Sequence, residues 1–150
     1  MSHVAFAGRC FIEEIPRYKQ VIEILCSNNI LTSIELMLKE TNNEVHRKYY
    51  KYDILISNTN KLIEVNGDKW HANPLIYKNT DIINIFGVDK KCEDIWIMDS
   101  NKRKCAESYG FTVLSVWESD LKYNLEKTIK EILNYAKILI DRLNRLALSQ

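Results

Sequence analysis

The chain has 150 residues, of which 46% are hydrophobic and 27% charged, with a formal net charge of +1. That length closes one hydrophobic core and leaves no room for a second full domain. The apolar content at so small a net charge excludes a disordered chain, and there is no overall basic excess of the kind many nucleic-acid binders carry.

In chain order, residues 17–26 and 32–41 are expected as helices. The second opens with Thr32-Ser33-Ile34-Glu35, a capping-box pattern, and continues through Leu36, Met37 and Leu38. Residues 49–57, YYKYDILIS, are rich in aromatic and β-branched types and predict a strand. Asn58-Thr59-Asn60 is a turn signal, and residues 61–66, KLIEVN, predict a second strand paired with the first as a hairpin. Gly67 then opens a loop, GDKWHANP, that ends at Pro74. Residues 75–86 are ambiguous, with apolar character around Ile82, Ile83, Ile85 and Phe86.

Residues 93–108 predict a helix, with Gly110 where a helix C-terminal glycine is expected. Residues 111–117, FTVLSVW, predict a third strand. From about Leu121 to Leu148, apolar residues spaced by three and four, such as Leu125, Ile129, Ile132 and Ala136, predict one long helix. The expected fold is therefore a single mixed α/β domain over residues 1–150, a small mixed sheet flanked by helices. The four cysteines form no C-x-x-C pair, which predicts free thiols in a reducing compartment. No signal peptide is evident and no apolar run reaches the roughly 18 residues of a membrane span, so a soluble, intracellular, cytoplasmic protein is expected.

Several polar residues stand out against this frame. Asp53 lies in a strand with apolar groups on both faces, where a carboxylate costs free energy unless it is paired or bound to metal; the plainer reading is an edge residue facing solvent. Glu64 and Asn66 are two apart on the next strand and share a face. If that face meets Asp53, three oxygen-bearing side chains converge, a donor set that suits Mg2+. Otherwise Glu64 is a surface partner of Lys51 or Lys61. His71 follows in the loop beside Trp70, and its ordinary pKa of roughly 6.5 suits a general base, although a lone histidine is more often structural. Asp99 either orients His71 or complements a helix dipole. Lys48 and Lys51 among tyrosines, and Lys102, Arg103 and Lys104 as a run, could meet DNA phosphate or form ordinary solvated surface. Trp70 could wedge against bases or line a pocket.

The run from Asp53 to His71, D-I-L-I…K-L-I-E-V-N-G-D-K-W-H, resembles the core of the very-short-patch repair endonucleases. It also resembles the related phage and intron homing endonucleases with an E-D-x-H-D signature. The stretch from Asp99 to Glu118 looks like the closing helix and strand of that family, so the resemblance covers roughly residues 32–121. It implies a restriction-endonuclease-like core and Mg2+-dependent hydrolysis of DNA, with Mn2+ as a substitute ion. By this resemblance Glu35 is the first acid of the signature, Asp53 the metal-binding acid, and His71 and Asp99 its histidine and final acid. Asp53 and the main-chain carbonyl of Val65 would hold the metal, with Glu64 in support. Asn66 stands where the wider superfamily has a lysine, so a lysine-based mechanism does not transfer. The implied partner is double-stranded DNA, with no membrane association, and a homodimer through the last helix is expected. A phage or mobile-element origin fits the same family. The alternatives are an RNase or structure-specific nuclease, and a catalytically silent DNA-binding module of the same fold.

Overall fold

The computed structural model describes residues 17–40 and 48–149. Helix α1 (Lys19–Ser27) leads into strand β1 (Thr32–Lys39), which is followed by β2 (Tyr49–Ile56) and β3 (Lys61–Asn66). A short hairpin of β4 (Ile82–Ile85) and β5 (Val88–Lys91) precedes the long helix α2 (Cys92–Ser108). Strand β6 (Thr112–Trp117), a short helix α3 (Glu118–Tyr123) and α4 (Leu125–Leu148) complete the chain. The architecture is mixed α/β, with a four-stranded sheet in the order β1-β2-β3-β6 and the separate β4-β5 ribbon. β1 and β3 each run antiparallel to β2, and β6 lies parallel to β3.

Helices cover both faces of the sheet. On one side, Val21 and Leu25 of α1 and Ile132 and Ala136 of α4 pack with Ile54, Ile56, Ile63 and Val65. On the other, Cys105 and Ala106 of α2 pack with Tyr50, Tyr52 and Leu62. In an unbroken strand residues two apart share a face. Tyr50 and Tyr52 nevertheless pack on the α2 side while Ile54 and Ile56 pack on the α1/α4 side, so β2 turns over at Asp53. The backbone shows the cause. The Val65 N–H donates to Oδ2 of Asp53 at 2.8 Å, so a side chain takes the place of a main-chain acceptor there. Across from Asp53 in the β1–β2 register lies Glu35, at φ 59°, a left-handed conformation uncommon for a residue with a side chain.

Two expectations are corrected, and one stretch left open is resolved. The helix expected over 32–41 is not formed: residues 32–39 are the edge strand β1, and residue 41 lies outside the described residues. Their Glu, Leu, Met and Lys are good helix formers, but the alternation of Ile34, Leu36 and Leu38 and the hydrogen bonds offered by β2 decide the outcome. The capping-box explanation of Glu35 falls with the helix. The ambiguous stretch contains β4, and with residues 88–91 it makes a hairpin. The helix expected from 121 to 148 is two, interrupted at Asn124, whose φ of −128° departs from helical geometry. The hairpin of β2 and β3, helix α2 and strand β6 lie where expected, and Gly110 ends α2 at φ 85°, with Phe111 N–H donating to the Ala106 carbonyl at 3.1 Å.

α4 fixes its inner half in the core through Thr128, Ile132 and Ala136, while Leu146 and Leu148 near its end are exposed. Ile132→Ala should therefore cost roughly 2–5 kcal/mol of stability in urea denaturation; a loss below about 1 kcal/mol would mean that α4 is not part of the core.

Candidate active site

The loop after β3 is tied down at several points. His71 N–H donates to the Gly67 carbonyl at 3.1 Å. Asp68 accepts hydrogen bonds from the Asn73 side-chain amide (2.6 Å), from the main-chain N–H of Ser119 (3.0 Å) and from its hydroxyl (2.7 Å). This fastens the loop to the start of α3. On the other side Trp96 of α2 donates its indole N–H to the Ala72 carbonyl at 2.7 Å. Ala72 itself is fully buried at φ 47°, a strained backbone held by these contacts immediately beside His71. Gly67 is required for space: a Cβ there would lie 2.7 Å from the Trp70 ring and 2.9 Å from the Arg17 guanidinium carbon.

The loop so fixed presents His71 to α2. Its Nδ1 lies 2.9 Å from Oδ2 of Asp99. Asp99 stands in the middle of α2 rather than in its first turn, so the helix-dipole explanation does not apply to it. His71 and Asp99 line a cavity of about 410 Å3, together with Glu64, Asn66, Trp96 and Lys102. Glu64 is only 8% exposed. Lys102 reaches it from α2, with Nζ 2.8 Å from Oε2, while Oε1 is buried without a hydrogen-bond partner. Burial pushes the Glu64 carboxyl up to about 7; Lys102 opposes the rise and the charge of Asp53 adds to it.

Asp53 does not line this cavity. It sits at the fold-over of β2, with Oδ2 occupied by the Val65 N–H. Glu35 lies on the same flank, where the Tyr18 hydroxyl donates to its Oε1 at 3.2 Å and Lys51 Nζ stands 3.5 Å away. Partial burial, then Glu35 and more weakly Asp53, hold the Tyr18 phenol above its ordinary value. The acids thus form two groups: Asp53 and Glu35 at the β1–β2 kink, and Glu64 and Asp99 around the cavity, with Glu64 within electrostatic reach of both Asp53 and His71. Among the described residues no three His, Cys, Asp or Glu side chains gather into a metal-holding cluster. A Mg2+ ion needs only one or two carboxylates and keeps several waters. Asp53, with one oxygen fixed by a backbone N–H, and the unpartnered oxygen of buried Glu64 are compatible with that chemistry.

The basic residues are placed unevenly. Lys102 is committed to Glu64 and lies over the Tyr52 ring at 5.0 Å, and Arg103 donates to the Val113 carbonyl (2.8 Å) and the Ser115 hydroxyl (2.9 Å). Lys51 pairs with Glu35, and Lys48 stands over the Tyr50 ring at 4.8 Å. Lys104 is on the exposed face of α2. Trp70 stacks on Phe86 at the β4–β5 tip, with ring centroids 4.7 Å apart. Sequence reasoning missed Asp68, Ser119 and Trp96, which hold the loop. Their partners lie 24 and 51 residues apart, beyond any local pattern.

No family model matches the chain, and no curated protein and no solved structure matches it.

Because the folded carboxyl of Glu64 titrates above its ordinary value of 4.5, the native state binds more protons than the unfolded chain between 4.5 and about 7. That contribution to stability is complete below 4.5 and is lost as pH rises through about 7. In EDTA, the stability of the wild type relative to Glu64→Gln should fall across this window and stay level above it. A constant difference would show that burial does not raise the Glu64 carboxyl above its ordinary value.

Proposed function

We propose that the protein is a Mg2+-dependent endonuclease that hydrolyses phosphodiester bonds in DNA. The observation that carries this reading is the His71–Asp99 pair, 2.9 Å apart, facing a cavity that also holds a buried acid and a lysine. With Nδ1 donating to Asp99, His71 keeps Nε2 as the acceptor for a proton from attacking water. Asp99 fixes that tautomer and stabilises the imidazolium once the proton has arrived. Asp53, with the Val65 carbonyl, would hold the divalent cation, which supplies positive charge to the scissile phosphate. Mn2+ can take the same place. Glu64, held by Lys102, and Glu35, held by Tyr18 and Lys51, set the charge on either flank. The mixed sheet with helices on both faces supports a restriction-endonuclease-like core, and Asn66 at the lysine position of the wider superfamily favours the histidine as base. Among the described residues no helix is long and apolar enough to cross a membrane. The exposed Leu146 and Leu148 of α4 leave a surface through which two copies could pair and cut both strands.

Two variants test the assignment on duplex DNA. His71→Ala should abolish cleavage and leave DNA affinity within a few-fold of wild type. Asp99→Asn, which removes the charge and lets the ring adopt the wrong tautomer, should lower kcat by about 10²–10⁴ with little change in KM. Cleavage preserved in His71→Ala would remove the histidine as base. Preference for RNA or branched DNA over duplex in the same assay would move the substrate class to those polymers.

A further inference from the structure

On the α1/α4 side of the sheet, a second cavity of about 360 Å3 opens beside the end of β3, lined by Arg17, Gln20, Val65, Glu118, Leu121 and Lys122. We infer that this cavity is a phosphate subsite, in which Arg17 and Lys122 hold a backbone phosphate of the nucleic acid away from the one that is cut. The inference rests on the proposed nuclease reading and adds residues that the motif resemblance does not include.

Three observations carry it. The first is position. Val65 lines this cavity, and its N–H is the group that fixes Asp53. An anion bound here is therefore a strand neighbour of the acid assigned to the metal. The second is the seating of Arg17. Its guanidinium lies over Gly67, so closely that a Cβ on that residue would stand 2.9 Å from the guanidinium carbon and 3.1 Å from a terminal nitrogen. Glu118 approaches it at Nε, 3.5 Å away, a contact that engages one edge of the planar fork. Arginine recognises phosphate through such a fork, and a guanidinium seated on the backbone loses less freedom in binding.

The third is charge. Acids stand at Asp53 and Glu35 on one flank and at Glu64 and Asp99 around the first cavity, and negative charge at either place repels a polyanion. Of the cations that sequence nominated for phosphate, Lys102 is held by Glu64 in the first cavity, and Arg103, on the exposed side of α2, donates to the Val113 carbonyl and Ser115. Arg17 and Lys122 are cations of the second cavity, which contains a single carboxylate, Glu118. Lys122 reaches across the Tyr123 ring at 5.1 Å, an exposed contact that a phosphate can replace. The amide of Gln20 adds a donor of the kind that commonly meets phosphate oxygens.

The test uses the full chain in EDTA, where nothing is cut, and a fluorescent duplex of about 30 base pairs. Affinity is measured across roughly 50 to 300 mM salt, because each phosphate neutralised by a cation adds about one to the slope of log affinity against log salt. Arg17→Ala and Lys122→Ala should each flatten the slope by about one and weaken binding several-fold at low salt. The double variant should flatten it by about two, and Arg17→Lys should restore most of the slope. Lys127→Ala and Lys130→Ala, on the exposed face of α4 and paired with Glu131 and Glu126, should leave it unchanged. Thermal melting identifies any variant that fails to fold, and Arg17→Lys then supplies the comparison. Unaltered slopes in folded Arg17 and Lys122 variants of a protein that binds DNA would overturn the subsite and leave the nuclease reading standing. A wild type that binds no duplex at any salt, either in EDTA or with Ca2+ in its place, would overturn both.

Discussion

The hydrogen bond from the Val65 N–H to the Asp53 carboxylate ties the sheet to the candidate chemistry. A strand with apolar residues at 50, 52, 54 and 56 should show them all to one side. By accepting from the neighbouring backbone, Asp53 takes over a ladder position, and β2 turns over. Its two halves then serve two different cores, one against α2 and one against α1 and α4. The same event keeps a carboxylate at mid-sheet without leaving it unpaired, which the interior would otherwise penalise by several kcal/mol. Glu35 at φ 59° is the matching distortion on the edge strand. The fold-over thus explains how one short sheet can be covered on both faces while carrying acids through its middle.

From that point the rest of the polar architecture follows in layers. β3 places Glu64 and Asn66 toward α2, and α2 answers with Lys102 and Asp99 one turn apart. The loop leaving β3 is clamped by Asp68 to α3 and by Trp96 to α2, so His71 meets Asp99 with its backbone already fixed. Preorganisation of this kind is what a site needs if its groups are to meet charge as it develops, without reorganising at that moment. Its cost is visible in the strained Ala72, in the buried Glu64 raised toward neutrality and in the orphaned Oε1.

Much of this was legible in the sequence where the signal was local. The hairpin of residues 49–66 followed from β-branched runs around an Asn-rich turn, and α2 and β6 followed from their lengths and from Gly110. The pairing of His71 with Asp99 was expected through a motif. Composition and spacing alone would not have joined residues 28 positions apart. Residues 32–39 were misread because intrinsic helix propensity is a weak prior that strand pairing with β2 overrides. The fold-over at Asp53 could not be read, because it involves a side chain that takes a backbone N–H donor of another strand, Val65. The commitment of Lys102 to Glu64 was hidden for a related reason: a basic run looks the same whether it meets solvent or a buried acid.

The central claim is that the acid at this fold-over and the histidine pair beyond it form one hydrolytic site. Incubation of supercoiled plasmid with the wild type and with Asp53→Ala, in Mg2+ and in EDTA, tests it most directly. Nicked or linear product from the wild type in Mg2+ alone, absent in EDTA and in a folded Asp53→Ala variant, is the predicted result. Equal cleavage by the variant, or intact plasmid and intact genomic DNA with the wild type in Mg2+, would contradict it.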